Sequence, residues 1–443
     1  MTQPLKLLGL TLIVSVFIPW ASFAGTDGSI QLNKDPRGPF TLNKAVALAL
    51  VHNPQLSVFS FEQRAREARA LQSGLKPNPQ LEILVEDALG SGRFSGFSQS
   101  QTTIQLSQVV ELGGKRLARL RVNTLSTKLA DWDYETKRID VLTQVAKAFV
   151  DVLKAQQQIS LAEGLVRLGE KFLNAVGERV KAGKVASLEK TKAEVSLSFM
   201  QIELAKAKRE LRVTRRNLSV TWGSTAPRFD SVLGDLFAVL PIPTLAALME
   251  RLINNPDLAR WTTELDQRQA VLDSELSKRI PNVKLLGGFR RLEATNDQAI
   301  IFGFSIPLQF FNKNQGSIAE ARHKLGKVRA QKRAAEITVK KNLLEAYNTL
   351  VFSNSQVISI KTQILPGAQK AFDGVTEGYG FGKFGYLDVL DSQKTFFEAK
   401  RQYLDSLADY HMAVADIERL TGEPLASFNL TALTPEGKPA NEK

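Results

Sequence analysis

Residues 125–153 read LSTKLADWDYETKRIDVLTQVAKAFVDVL. Leu125, Leu129, Trp132, Ile139, Leu142, Ala146, Phe149 and Leu153 recur at three- and four-residue steps or their sums, a coiled-coil-like stripe along one helix face. No proline occurs between Pro79 and Pro227, so nothing there forces the helix to break. The stripe predicts one helix from about Lys115 to Lys181, on the order of 100 Å long at about 1.5 Å per residue. Such a helix has no obvious globular core to lie against.

Working outward, the chain repeats itself. Thr41-Leu42 to Asn53-Pro54-Gln55-Leu56 recurs as Thr244-Leu245 to Asn255-Pro256-Asp257-Leu258. Pro79-Gln80-Leu81 is echoed by Pro281-Asn282-Val283, and Gly183-Lys184 through Leu188-Glu189 to Trp222-Gly223 matches Gly382-Lys383 through Leu387-Asp388 to Thr421-Gly422 without a gap. Each half therefore predicts a short helix with Thr41 or Thr244 as N-cap, then an Asn-Pro helix start. The Asn-Pro helix ends near Pro77 or Pro281, and a strand pair, a very long helix, a tight turn and a return helix follow. The return helix of the second half carries Leu390, Phe397, Leu404 and His411 at seven-residue steps. Pro366 should kink the second long helix or mark a join. The expected division is 1–24, 25–223, a Pro-bearing linker 224–243, 244–422, and a polar tail 423–443.

Residues 1–24 have the order of a secretory signal peptide. Lys6 precedes an apolar run from Leu7 to Trp20, and the small residues Ser22 and Ala24 stand third and first before the expected cut after Ala24. The alternative is a membrane anchor, for which about fourteen apolar residues are short. The sequence has no cysteine, which excludes disulfides and thiolate metal sites, and no lipid anchor is expected after the cut. The net charge of +13 is scattered, with Lys206, Lys208, Arg209, Arg212, Arg215 and Arg216 among apolar residues at helical spacing. In an exported chain this pattern favours a solvated helix face over a nucleic-acid surface, so no nucleic-acid partner is expected.

The strand pairs, at about 80–110 and 282–309, offer a route into a membrane that no apolar helix provides. Leu81, Ile83 and Val85 alternate with Glu82, Leu84 and Glu86. Ile104, Leu106 and Gln108 alternate with Gln105, Ser107 and Val109, and Ile300, Phe302, Phe304 and Ile306 with Ile301, Gly303, Ser305 and Pro307. Segments of about nine to eleven residues suit tilted membrane strands. A soluble hairpin resting on helices is the other reading of the same alternation. Four strands cannot close a membrane barrel, and an open edge in lipid leaves backbone groups unsatisfied. If the strands enter a membrane, protomers share a barrel: two would give a narrow eight strands, three would give twelve with a lumen.

The duplicated Asn-Pro-x-Leu, the strand pairs and the segments Gly183 to Glu189 and Gly382 to Asp391 resemble the TolC-like outer-membrane efflux family. The resemblance covers nearly all of the mature chain. Ser107-Gln108-Val109-Val110-Glu111-Leu112-Gly113-Gly114-Lys115-Arg116 looks like the strand-to-helix junction of the cobalt-zinc-cadmium resistance branch. The resemblance implies a mainly α fold with a small β part: a homotrimer with a shared 12-stranded barrel in the outer membrane of a Gram-negative bacterium, above a long α-helical barrel in the periplasm. It implies a passive exit duct that docks on a periplasmic adaptor coupled to an inner-membrane pump of the RND type. The cargo it suggests is heavy-metal cations, with type I protein secretion as the other use of the same fold. A soluble secreted scaffold or adaptor is the rival from another class.

Gly183-Lys184-Val185 and Gly382-Lys383-Phe384 carry the glycine that a helix end favours, with new helices expected near Ser187 and Tyr386. The resemblance makes these turns the tips that meet the adaptor. Asp388 and Asp391, three apart, share one helix face, which by itself is only a solvated face. The resemblance makes them the paired aspartates of a periplasmic gate, with Tyr379 as its tyrosine and Glu189 as the acidic partner on the other hairpin. Phe384 stands where the family has an arginine, so one ionic link is expected to be missing. No catalytic constellation, cofactor site or metal-ligand cluster is legible. Gly113-Gly114-Lys115-Arg116 lacks phosphate-loop spacing and reads as a bend, and His411, on the apolar stripe, reads as a core histidine rather than a ligand.

Overall fold

The computed structural model describes residues 36–423, so the expected signal peptide and most of the polar tail lie outside the described residues. The first half runs β1 (Gly38–Thr41), α1 (Leu42–His52), α2 (Pro54–Ser73), β2 (Gln80–Glu86), β3 (Gln101–Val110), α3 (Lys115–Lys181) and α4 (Ser187–Val220). β4 (Phe229–Leu233) follows in the linker. The second half runs α5 (Leu245–Arg251), α6 (Pro256–Ser277), β5 (Val283–Leu292), β6 (Asp297–Ser305), α7 (Gln315–Ser359), α8 (Leu365–Gly380) and α9 (Tyr386–Thr421). The long helix α3 has the expected limits and 67 residues. Among the described residues no helix is long and apolar enough to cross a membrane.

The Asn-Pro starts have a physical reason. The Asn53 side chain accepts from the Gln55 and Leu56 amides at 2.8 and 3.2 Å, and Asn255 accepts from Leu258 at 3.0 Å. Each cap also reaches out of its helix: Asn53 Nδ2 donates to the Thr221 carbonyl and Asn255 Nδ2 to the Leu420 carbonyl, both at 2.7 Å. The same amide thus starts one helix and satisfies the end of the return helix in its own repeat. Thr244 caps α5 through Ala247 as expected, but Thr41 makes no side-chain cap. The reason is that Thr41 closes β1, which pairs in parallel with β4. This two-stranded sheet is not legible in the sequence, because its strands are 4 and 5 residues long and far apart along the chain.

The linker is strapped to the helices. Gln156 on α3 pairs with both backbone groups of Val232, accepting at 2.7 Å and donating at 3.1 Å. The Tyr410 hydroxyl accepts from the Leu240 amide and donates to its carbonyl, and His411 meets the Leu236 carbonyl at 2.9 Å. Phe40 stacks on Phe229 at 5.2 Å beside Trp222, anchoring the core at this level. The two repeats are joined by ion pairs between antiparallel α3 and α9: Lys154 with Asp405 at 2.7 Å, Lys147 with Asp416 at 2.6 Å, and Asp140 with Arg419 at 2.7 Å.

Pro366 neither breaks nor sharply ends the second long helix. A π-helical turn, Ile360–Ile364, sits between α7 and α8. Proline lacks the amide that would serve a carbonyl in the preceding turn, and a locally widened turn absorbs the mismatch.

The four-stranded sheet has the order β2-β3-β5-β6, antiparallel throughout. β2 is shorter than expected at 7 residues, and β6 ends at Ser305, so Ile306 lies just beyond the ladder. Register decides which face is which. Ile83, Ile104, Phe289 and Ile300 form one row across all four strands, and Leu81, Leu106, Gly287 and Phe302 form another on the same face. Phe302 is 87% exposed there. On the other face Gln105 donates to Glu82 at 2.7 Å and Arg290 to Thr103 at 3.0 Å. An exposed apolar face opposite a hydrogen-bonded polar face is the reverse of a soluble hairpin, and it suits lipid outside with water inside.

Candidate functional site: the hairpin tips

α3 and α4 form one helical hairpin, α8 and α9 the other. Their turns are built alike. Gly183 at φ +68° and Gly382 at φ +77° take the left-handed conformation that ends each descending helix. The Lys184 amide reaches back to the Arg179 carbonyl at 2.9 Å, and the Lys383 amide to the Gly378 carbonyl at 2.8 Å. Lys184 and Lys383 are exposed at these turns, Val185 is half-buried, and Phe384 is 45% exposed. α4 starts at Ser187 and α9 at Tyr386, as the sequence predicts.

Above the turns the two hairpins meet. Val176, Ala193, Phe372, Tyr379, Tyr386, Val389 and Phe396 form a buried cluster drawn from both. Tyr379 is its polar hinge point. Its hydroxyl donates to Glu189 at 3.3 Å, across the gap between hairpins. Burial, with the Glu189 charge beside it, pushes the Tyr379 phenol above its ordinary pKa, which keeps the donor proton in place. Burial likewise raises Tyr386.

Position 384 is a phenylalanine, and the arginine that meets Tyr379 is a different one. Arg179, near the end of α3, lies over the Tyr379 ring with its guanidinium carbon 4.4 Å from the centroid, and it donates to the Tyr379 carbonyl. The cation therefore comes from the first hairpin. No signal short of the fold could assign it, since Arg179 and Tyr379 lie 200 residues apart. Phe384 has another place: its ring covers Gly378, leaving no room for a Cβ there.

Asp388 and Asp391 are both exposed on one face of α9, and their surroundings differ. Asp388 accepts from the Gly385 amide at 2.8 Å, so it caps the start of α9, whereas Asp391 lies beyond the reach of that cap. The gating role expected of Asp388 and its local structural role therefore share one carboxylate. His411, at 3% exposure, is a core residue, and burial lowers its pKa. No group of acidic, histidine or cysteine side chains among the described residues could hold a metal ion.

Known proteins share this architecture. The chain matches the family described as Outer membrane efflux protein twice, over residues 45–224 and 247–423, one match per repeat. It is 36% identical over 420 residues to the cobalt-zinc-cadmium resistance protein CzcC of Cupriavidus metallidurans, spanning 94% of this chain and 99% of that one. The nickel-cobalt-cadmium resistance protein NccC of Alcaligenes xylosoxydans xylosoxydans is 28% identical over 315 residues, 70% of each chain. Crystal structures of CusC superpose with a TM-score of 0.73 at 18% identity, covering 86% of this chain and 92% of that one. The duplicated hairpins, the sheet with its apolar outer face and both family matches lead to one conclusion: this chain belongs to the outer membrane efflux protein family, the TolC-like channels of tripartite efflux systems.

Proposed function

We propose that this chain is one of three identical protomers of an outer-membrane exit duct for heavy-metal cations. The observation that carries the duct is the four-stranded sheet with an apolar outer face and two unpaired edges, β2 and β6. β2 and β6 run antiparallel, so β2 of one protomer can pair with β6 of the next and close a ring without altering the fold. Three copies give twelve strands and room for a lumen. The metal cargo is supported by the similarity to CzcC and NccC, both named for metal resistance. An inner-membrane pump, of the RND type in our reading, supplies the driving force and the choice of cargo.

In this proposal Gly183, Lys184 and Val185 on one hairpin, with Gly382, Lys383 and Phe384 on the other, are presented to a periplasmic adaptor. Asp388 and Asp391 of three protomers line the entrance, and Tyr379, Glu189, Arg179 and Phe384 hold it narrow. The test is an image of the detergent-solubilised particle together with growth of a deletion strain on cobalt, zinc and cadmium. A threefold particle and loss of tolerance to these ions are expected. A twofold particle rejects the trimer, and unchanged tolerance rejects the metal cargo. Photo-crosslinkers at Val185 and Phe384 should capture the adaptor; if neither does, the tips are not the docking surface.

A further inference from the structure

All four connections between the sheet and the long helices lie at one end of the sheet, because β2 and β5 enter from helices there and β3 and β6 leave into helices there. These junctions are tied down by hydrogen bonds. Gln108 donates to the Pro77 carbonyl at 2.9 Å and Gln309 to the Lys278 carbonyl at 3.1 Å. Asn314 donates to the Glu275 carbonyl at 2.9 Å, and Lys115 bonds Asn282 across the two repeats.

Each junction exposes the same pair of groups, an apolar side chain and a cation. Between α2 and β2, Leu75 is exposed beside Lys76. Between β3 and α3, Leu112 is exposed with Arg116 one helical turn on. Ile280 and Arg279 are exposed between α6 and β5. Between β6 and α7, Phe311 is 94% exposed, next to exposed Phe310 and two residues before exposed Lys313. The carboxylates nearby already have partners: Glu111 is paired with Arg119 and Glu275 with Lys278. Arg116 donates to a carbonyl, that of Gly74 at 3.3 Å.

We propose that this collar binds anionic phospholipids of the membrane leaflet that faces the helical, periplasmic side; the proposal rests on the reading of the sheet as a membrane-spanning wall. The apolar members lie at the ends of strands whose apolar face carries exposed Phe302 and Phe304. The cations sit at the level where that surface ends, which is where headgroup phosphates lie when the sheet spans the bilayer. A side chain for the acyl chain and a cation for the phosphate, repeated at every junction, recognise an anionic amphiphile and not a free anion. Fixed at both edges of the sheet, the collar would set the depth of the barrel.

The test uses the full chain purified in neutral detergent, with phosphatidylglycerol, phosphatidylcholine and inorganic phosphate as probes, read by native mass spectrometry and by thermal unfolding. Phosphatidylglycerol is expected to bind on the order of tenfold tighter than phosphatidylcholine. A variant with Lys76→Gln, Arg116→Gln, Arg279→Gln and Lys313→Gln should lose that preference while unfolding at the wild-type temperature in phosphatidylcholine and still conducting in planar bilayers. Equal affinity for the two lipids in the wild type, or an undiminished preference in the variant, would overturn the proposal. So would competition by millimolar phosphate that abolishes the preference, which would make the collar a free-anion site. Because conductance is recorded separately, failure here is distinct from failure of the duct reading.

Discussion

The Arg179 guanidinium lies over the Tyr379 ring, 4.4 Å from its centroid, and so ties the end of α3 to the end of α8 across the two hairpins. The contact brings together a cation and a ring face, and it is strengthened by donation to the Tyr379 carbonyl. With the Tyr379–Glu189 hydrogen bond it makes Tyr379 the point where both helices of the first hairpin grip the second.

If these contacts hold the entrance narrow, loosening them should open it. Arg179→Ala and Tyr379→Phe remove different parts of the link, the first the cation, the second the hydroxyl. Each is worth roughly 0.5–1.5 kcal/mol, so the open fraction should rise about two- to tenfold for each variant. Single-channel conductance in planar bilayers reads this directly. Wild-type opening in the double variant Arg179→Ala with Tyr379→Phe, which removes both parts, would place the gate elsewhere.

Asp388 and Asp391 should separate in their effects. Asp391→Asn removes a charge from the proposed entrance without touching a helix cap, so it should weaken cation selectivity and multivalent-cation block while leaving the melting temperature unchanged. Asp388→Ala should do the same and also cost about 1 kcal/mol of local stability through the lost bond to Gly385. Asp388→Asn keeps an acceptor and should restore most of that stability but not the selectivity. Reversal potentials in a salt gradient and thermal unfolding distinguish the three variants.

The twin asparagines should be equivalent. Asn53→Ala and Asn255→Ala each remove a helix cap and leave a return-helix carbonyl, of Thr221 or Leu420, without its donor. Both should destabilise by about 1–3 kcal/mol. The Asp variants keep the cap but lose the donor, so they should recover only part. Denaturant titration of the solubilised protein measures this, and an Asn255 effect far from that of Asn53 would contradict the repeat equivalence.

His411 predicts a pH dependence. Burial lowers its folded pKa below the ordinary value near 6.5, so the unfolded chain takes up the proton first as pH falls. Its neutral ring therefore supports folding above about pH 6.5, and that support declines as pH drops toward the lowered folded value. His411→Gln should flatten the stability profile as pH falls below about 6.5. Thermal unfolding at a series of pH values checks it; an unchanged slope would assign the acid sensitivity to other groups.

Phe302→Arg should impair membrane insertion, since Phe302 stands on the apolar face in the row of Leu81, Leu106 and Gly287. A charge at mid-depth costs about 2–4 kcal/mol. Ile306→Arg should be milder, because Ile306 follows the end of β6 and is 39% exposed. Fractionation of the outer membrane compares the two variants; equal, wild-type insertion would remove Phe302 from the lipid face.

The sequence by itself determined the elements that depend on neighbours along the chain. The apolar stripe from Leu125 to Leu153 and the missing prolines specified α3, Asn-Pro specified the starts of α2 and α6, and Gly183 and Gly382 specified the turns. These are local rules of period, capping and backbone freedom, and duplication let each half check the other. Tertiary structure alone decided what meets across the chain: the parallel pairing of β1 with β4, the strap from Gln156 to Val232, and Arg179 over Tyr379. It also decided that Thr41 ends a strand instead of capping a helix, and that Pro366 is absorbed by a π turn. Residues 76 to 200 positions apart become neighbours only when helices pack, and no period or cap in the sequence encodes that distance.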